Sequence, residues 1–460
     1  MSGHRFDPTI LRAYDIRGIV GETLSEADAE ALGRAFGTVA RRQGGRCVAL
    51  GYDGRLSSPA LAAAASQGLA ACGLEVLEIG RGPTPMLYFA GHHLSADAGL
   101  MVTGSHNPPH YNGFKMVLGR RPFFGEDIQR LAAIAEAGDF AAGEGTRRDA
   151  PVFEAYVERL VRDYDGTREL TAAWDAGNGA VGEAMVALVR RLPGRHHMLN
   201  ETVDGTFPAH HPDPTVPENL KQLQETVHAE ACDLGFAFDG DGDRIGALDG
   251  RGRILWGDQL MVLIARDILK ERPGATIIAD VKASRVLFDE VARLGGRPLM
   301  WKTGHSLIKA KMAEEGAPFA GEMSAHLFFA DRYYGYDDAL YAAVRILSAV
   351  SRSGESLADF RDSLPALVNT PEIRFPCPED RKFQVIDEVR ERLAESGAEV
   401  TAIDGVRVAT EDGWWLLRAS NTQDVLVARC EAGDEAGLER LKGLLVEQLR
   451  KSGLEPPSDL

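Results

Sequence analysis

The chain has 460 residues, 44% of them hydrophobic and 26% charged, the make-up of an ordinary globular protein with about three domains and room for two to four. Its net charge is −17, from 51 Lys and Arg against 68 Asp and Glu. That balance excludes broad electrostatic capture of nucleic acid or an anionic membrane, so any anion must be held locally by a few placed Arg and Lys.

In chain order, the stretch Cys47 to Gly80 predicts a strand ending at Asp53, a helix starting near Ser58 with Pro59 in its first turn, and a second strand. The same plan recurs at Leu170 to Val189, with Asp175 at the strand end, and at Ala275 to Trp301, with Asp280 there. Strands alternating with helices at this length predict α/β layers on a mixed or parallel sheet.

Two apolar runs, Ala98 to Val102 and Phe114 to Leu118, flank the loop Thr103-Gly104-Ser105-His106-Asn107-Pro108-Pro109. The prolines cannot donate to a sheet ladder, and Gly104 permits a tight turn beside Ser105. The Ser105 hydroxyl is expected at a loop tip, with His106, Asn107 and Lys115 available around an anion. The plain alternative is a solvated Asn-Pro turn.

Residues 136–150 are small, polar and Gly-rich and predict a linker. After the strand Phe236-Ala237-Phe238 comes Asp239-Gly240-Asp241-Gly242-Asp243-Arg244. Glycines between three carboxylates let the loop curl, so that oxygens converge as hard divalent cations require. Counted from Asp239, the sixth and twelfth positions hold Arg244 and Gly250 rather than Gly and Glu, which excludes an EF-hand. Three side-chain ligands leave coordination positions for phosphate oxygens. A Gly-rich hairpin at Asp249-Gly250-Arg251-Gly252 marks a second boundary.

Lys302-Thr303-Gly304-His305 puts a cation and an imidazole at a strand end. Glu322 and Ser324, in Gly321-Glu322-Met323-Ser324-Ala325-His326, share one face of extended backbone and suit adjacent sugar hydroxyls. Prolines cluster between Pro365 and Pro378, a third boundary. Beyond it follow a helix, antiparallel strands turning at Asp404-Gly405 and Asp412-Gly413, and a final helix carrying Leu438, Leu441, Leu444, Leu445 and Leu449 near helical spacing. Arg418-Ala419-Ser420-Asn421-Thr422 offers a guanidinium, hydroxyls and an amide to a phosphate monoester. The boundaries divide the chain into 1–150, 151–252, 253–366 and 367–460.

The five cysteines, Cys47, Cys72, Cys232, Cys377 and Cys430, are scattered and form no CxxC pair. A reducing compartment is expected, without disulfides or a zinc site. The first residues lack a signal peptide's apolar core and no apolar run is long enough to span a bilayer, so a cytoplasmic protein is expected.

Taken together, TGSHNP, DGDGDR, GEMS and RASNT, in this order and at these separations, resemble the α-D-phosphohexomutase family, bacterial phosphomannomutase/phosphoglucomutase branch. LRAYDIRG at 11–18, DAGNGA at 175–180, WKTGHS at 301–306 and GYDDALYAA at 335–343 extend the resemblance over nearly the whole chain. It implies four domains around a central cleft, three similar α/β units with mixed sheets and a C-terminal α+β unit. It implies a phosphoryl group on Ser105, and Mg²⁺ bound by Asp239, Asp241, Asp243 and a phosphoserine oxygen, with Arg244 beside them. Glu322 and Ser324 would hold sugar hydroxyls, and Arg418, Ser420, Asn421 and Thr422 the non-reacting phosphate. Tyr14, Arg17, Lys115, Lys302 and His305 would line the cleft, with His106 and Asn107 supporting the Ser105 loop. Ser105, Lys115, His305 and Arg17 would be the catalytic set, with Lys115 and His305 the candidate bases.

The implied reaction interconverts hexose 6-phosphate and hexose 1-phosphate, of mannose or glucose, through a hexose 1,6-bisphosphate. The partners are phosphosugars, the assembly a monomer or weak dimer. Phosphoglucosamine mutase and a serine-dependent sugar phosphatase are the rival activities. Three residues depart from the family's pattern. Tyr52 replaces a cation, Ala325 stands where Gly is usual and would pay for a positive φ, and Asp424 replaces a Pro near the phosphate clamp.

Overall fold

The computed structural model describes residues 3–421, 423–457 and 460. Three sheets repeat one topology. In the first, the strand Cys47–Tyr52 lies between parallel neighbours Glu75–Arg81 and Ala98–Val102, and Tyr111–Leu118 returns antiparallel to the latter. In the second, Thr171–Asp175 is flanked by Arg195–Leu199 and Leu234–Phe238, with Ile245–Asp249 antiparallel to Leu234–Phe238. In the third, Thr276–Asp280 is flanked by Arg297–Trp301 and Phe319–Gly321, with Leu327–Phe329 antiparallel to the latter. Fully buried central strands explain why these segments read as continuous apolar runs rather than alternating ones.

The helices follow from local chemistry. Ser25 and Asp28 form a capping box that starts Glu26–Arg42. Pro59 sits in the first turn of Ser58–Ala70, whose Leu61, Ala65 and Leu69 face the first core. The 136–150 stretch does more than link. Thr146–Asp149 pairs parallel with Glu75–Arg81 as an exposed edge strand, where Arg147 and Arg148 meet Glu78 and Glu75. Its polar residues hide it from a hydrophobicity reading because both faces of an edge strand can be wet.

The fourth unit is a six-stranded sheet. Gly413–Ala419 and Val425–Ala432 form its antiparallel centre, covered by the helices Glu379–Ser396 and Glu435–Lys451. Its apolar core is its own. By contrast, one continuous core joins the helix Thr84–His93 of the first unit, the Trp174 region of the second and the helix Ala339–Ser353 of the third. The fourth unit meets the third through a small apolar cluster, Val281 and Met300 against Trp414 and Leu416, and through polar groups. The Arg407 guanidinium, stacked on Trp414, donates to the carbonyls of Val281 and Ala283, and Lys282 pairs with Glu372. Among the described residues no helix is long and apolar enough to cross a membrane.

Candidate active site

The three repeated units place their strand-to-strand loops equivalently. Each loop joins the third parallel strand to the antiparallel one: 103–110 in the first unit, 239–244 in the second, 322–326 in the third. These are the TGSHNP, DGDGDR and EMSAH stretches, and the fold brings all three together.

Ser105 lies in the first loop, but not at an exposed tip. It is buried, with a left-handed φ of 50°. Its amide donates to Thr103 Oγ1 at 2.8 Å, and its Oγ lies 3.2 Å from Asp239 Oδ2 and 3.2 Å from His106 Nδ1. A left-handed serine costs about 1–2 kcal/mol, so something must hold it. Arg55 does. Its fully buried guanidinium donates to the carbonyls of Ser105 (2.8 Å), Asn107 (2.6 Å), Pro108 (2.6 Å) and Tyr111 (3.0 Å). Asp53, at the end of the central strand, pairs with Arg55 and accepts from the Gly104 amide at 3.1 Å. A Cβ on Gly104 would lie 2.4 Å from Arg55 Nε, so the close approach requires glycine. Arg17 donates to Gly104 O and to Asn107 Oδ1, at 3.0 and 2.7 Å, so Asn107 supports the loop from inside.

In the second loop, Asp239, Asp241 and Asp243 are buried, and each offers an oxygen within 4.8 Å of the others. Asp239 Oδ1 accepts the amides of Gly242, Asp243 and Arg244, which curls the loop. Asp241 Oδ1 is buried without a hydrogen-bond partner, and the buried Asp243 Oδ1 has only the His326 ring, 3.2 Å away. Three convergent buried carboxylates with an unpaired oxygen among them are the donor set a divalent cation takes, so these residues fit a metal, with Ser105 Oγ at the edge of the set. Burial, with Asp243 and Asp241 beside it, pushes the Asp239 carboxyl well above its usual range. Lys115 donates to Asp241 Oδ2 at 2.7 Å and pairs with Asp243. Burial works against its charge, but the two carboxylates outweigh burial and hold it well above the usual lysine range. Lys115 is therefore a fixed cation here.

The third loop joins the second. His326 Nε2 lies 3.2 Å from Asp243 Oδ1 and its Nδ1 lies 2.9 Å from Glu322 Oε2. Burial works against its charge, yet Asp243 and Glu322 outweigh that and push it up to about 9, an imidazolium between the two loops. Ser324 Oγ is 3.3 Å from His326 Nδ1, and Glu322 Oε1 accepts the Gly304 amide at 2.7 Å. Asp280, the strand-end aspartate of this unit, accepts from the Met323 amide at 3.0 Å and from Thr303 Oγ1. Ala325 does take a positive φ, 65°, which lets its carbonyl accept the Ile245 amide of the metal loop's strand. Arg244 bridges to His326 main chain to main chain.

His305 begins the helix His305–Glu315, its ring 6.3 Å from that of Tyr14 and 5.7 Å from that of His326. Burial and the nearby Lys309 hold it well below the usual histidine range, so it is neutral. Tyr14 Oη donates to Thr303 O at 3.0 Å and accepts from Asn421 Nδ2 at 2.6 Å, which ties the fourth unit to the first and third. Arg418 is buried and pairs with Asp404, which also accepts the Thr303 amide. Ser420 is buried beside it. Thr422 lies outside the described residues. Lys302 is exposed, with no hydrogen bond or ion pair to other described residues, so it stands apart from the cluster. Asp424 is exposed, and Tyr52 packs at the edge of the first core.

Sequence reasoning gave no role to His326, though it closes the EMSAH stretch, nor to Lys282, a buried cation paired with Glu372. A signal for Lys282 exists. Asp53-Gly54-Arg55 and Asp280-Val281-Lys282 both place a base two residues after a strand-end aspartate.

With this geometry in view, the relatives are informative. Phosphoglucomutase/phosphomannomutase models match all along the chain: alpha/beta/alpha domain I at residues 8–142, domain II at 154–252, domain III at 256–368, and the C-terminal domain at 372–448. A phosphomannomutase/phosphoglucomutase of Pseudomonas aeruginosa is 45% identical over 96% of both chains. A phosphoglucomutase of Neisseria gonorrhoeae is 44% identical over 94% of this chain and 95% of its own. The crystal structure of a phosphoglucomutase/phosphomannomutase family protein from Burkholderia thailandensis superposes with a TM-score of 0.92 at 44% identity, covering 97% of this chain and 98% of that one. Matched in all four units and at this identity, the chain belongs to the phosphoglucomutase/phosphomannomutase family.

Proposed function

We propose that the chain is a phosphohexomutase that interconverts the 6- and 1-phosphates of glucose and mannose, through a phosphoserine at Ser105 and a hexose 1,6-bisphosphate. The observation that carries this is the meeting of three equivalent loops. A buried serine sits 3.2 Å from one of three convergent aspartates, and a histidine links those aspartates to Glu322. Nucleophile, cation site and hydroxyl-binding groups share one cleft.

Mg²⁺ held by Asp239, Asp241 and Asp243 would supply charge to offset the transferring phosphoryl oxygens. Lys115 keeps Asp241 and Asp243 ionised and adds fixed positive charge beside the transfer line. Glu322 and Ser324 orient the sugar hydroxyls, and Arg418, Ser420 and Asn421, with Thr422, grip the phosphate that does not react. His305, the neutral one of the two candidate bases, takes the proton of the attacking hydroxyl as that oxygen bonds to phosphorus. Ser105 Oγ leaves with the P–O electron pair, and the proton returns to it by way of the cleft. The bisphosphate then turns end for end, and the reverse step restores phosphoserine.

Phosphorus NMR of the protein with glucose 1-phosphate, Mg²⁺ and a trace of glucose 1,6-bisphosphate tests the reading. Glucose 6-phosphate should accumulate to equilibrium without matching release of free phosphate, and mannose 1-phosphate should be turned over comparably. Free phosphate formed as fast as isomer would make the chain a phosphatase. Strong preference for glucosamine phosphates would move it to the sister activity.

A further inference from the structure

The stretch Gly335-Tyr336-Asp337-Asp338-Ala339 carries two adjacent carboxylates that the reading above does not use. They face different places. Asp338 is the N-cap of the helix Ala339–Ser353. It accepts the Tyr341 amide at 3.0 Å, the Tyr333 hydroxyl at 2.9 Å and the Tyr156 hydroxyl at 3.1 Å. Asp337 turns to the cleft. Its side chain is fully buried. Its Oδ1 accepts from Lys309 Nζ at 2.9 Å, and Lys309 in turn lies over the Tyr88 ring.

Its other oxygen, Oδ2, is buried without a hydrogen-bond partner, and so is Nδ1 of His305. These two orphan atoms are 4.0 Å apart. Nδ1 is buried, while 14% of the His305 side chain remains exposed. His326 and Asp243 also border Asp337, within 4.8 Å. His326 is already taken up by Glu322 and Asp243.

We infer that Asp337, held by Lys309, is a positioning residue for His305, and that it fixes the proton on Nδ1 so that the Nε2 lone pair meets the substrate hydroxyl. The inference rests on the reading of His305 as the base. A buried orphan donor and a buried orphan acceptor at ion-pair distance are each other's natural partner. Hydrogen bonds of this kind are often long in the free enzyme and shorten in the substrate complex. Once His305 has taken the proton at Nε2, the Nδ1–H faces the Asp337 carboxylate, which stabilises the imidazolium without itself being protonated. Lys309 sets the orientation of Asp337 because it occupies Oδ1 and leaves Oδ2 for the histidine.

That orientation makes the test specific. In Asp337→Asn the amide oxygen must face Lys309, so the amide NH₂ faces His305 Nδ1 and forces the proton to Nε2, the wrong nitrogen. Turnover should fall about 100-fold, with KM within about twofold, since Asp337 hydrogen-bonds Lys309 and neither Glu322 nor Ser324. Asp338→Asn, which keeps a capping oxygen, should leave kcat near wild type. The direct readout is ¹⁵N NMR of histidine-labelled protein, with the His305 signals assigned by their loss in His305→Gln. Wild type should show the Nδ1–H tautomer and Asp337→Asn the Nε2–H tautomer. An Nε2–H tautomer in wild type, or wild-type kcat in a folded Asp337→Asn, overturns the inference. If His305→Gln itself retains full turnover, the assignment of the base falls instead. Loss in His305→Gln without loss in Asp337→Asn removes only the role of Asp337.

Discussion

The body formed by the first three units and the fourth unit solve different problems. In the body, the reactive loops are stapled from beneath by buried groups: Arg55 with four carbonyls, Asp53, Asp280 and the His326 bridge. These loops sit on a shared apolar core. The fourth unit keeps a core of its own, is attached to the third by the small cluster of Val281, Met300, Trp414 and Leu416 and by Arg407 and Lys282, and meets Tyr14 and Thr303 through single polar contacts from Asn421 and Asp404. Groups that break and make bonds need positions fixed to fractions of an ångström, whereas a phosphate grip must admit and release a substrate. On the proposed reading, the dense support lies under the reacting loops and the single polar contacts lie at the phosphate grip.

Breaking the body's side of that contrast should cost most. Ser105→Ala should remove turnover by at least about a thousandfold while thermal unfolding stays near wild type, as a coupled assay and calorimetry would read. Arg55→Lys comes next. A lysine cannot serve four carbonyls, so the Ser105 loop should shift, with kcat down about 100-fold and stability down about 3 kcal/mol in denaturant titration.

A stability effect of similar size belongs to Asp338. Burial pushes its carboxyl up to about 6, above the ordinary 3.8 of an aspartate. The folded protein therefore holds a proton that the unfolded chain has lost across that window. The stability this contributes is present below pH 3.8 and is lost as pH rises through about 6. The swing should be on the order of 2–3 kcal/mol, and Asp338→Asn should flatten it.

On the fourth unit's side, Tyr14→Phe removes the hydroxyl shared by Thr303 and Asn421. It should raise KM severalfold, about 1 kcal/mol, and leave kcat little changed. The smallest effect sharpens the picture of the third loop. Ala325→Gly relieves a left-handed alanine at the cost of glycine's unfolded freedom, a net gain of about 0.5 kcal/mol.

Much of this was legible in the sequence because it is local. The strand-end aspartates, the Pro59 helix start, the Asp-Gly hairpins and the three aspartates of the second loop each announce themselves within a few residues. What was hidden depends on residues far apart. Asp337 and Lys309 are 28 positions apart and His326 and Asp243 are 83 apart, so no window shows them as partners. The equivalence of the three hairpin loops was also invisible. Their sequences carry unlike chemistry, and only strand order reveals them as one position used three times. Ser105 reads as a turn residue, and its burial appears only once Arg55 is seen to gather the loop's carbonyls.

The claim that Ser105 lends and recovers a phosphoryl is tested most directly by mapping it. The protein, incubated with glucose 1,6-bisphosphate and Mg²⁺, is analysed by intact mass and peptide sequencing, then chased with glucose 1-phosphate. The mass should rise by one phosphoryl on the peptide carrying Ser105, and that phosphoryl should pass to the sugar during the chase. A phosphoryl on any other residue, or one lost to water instead of sugar, would contradict the claim.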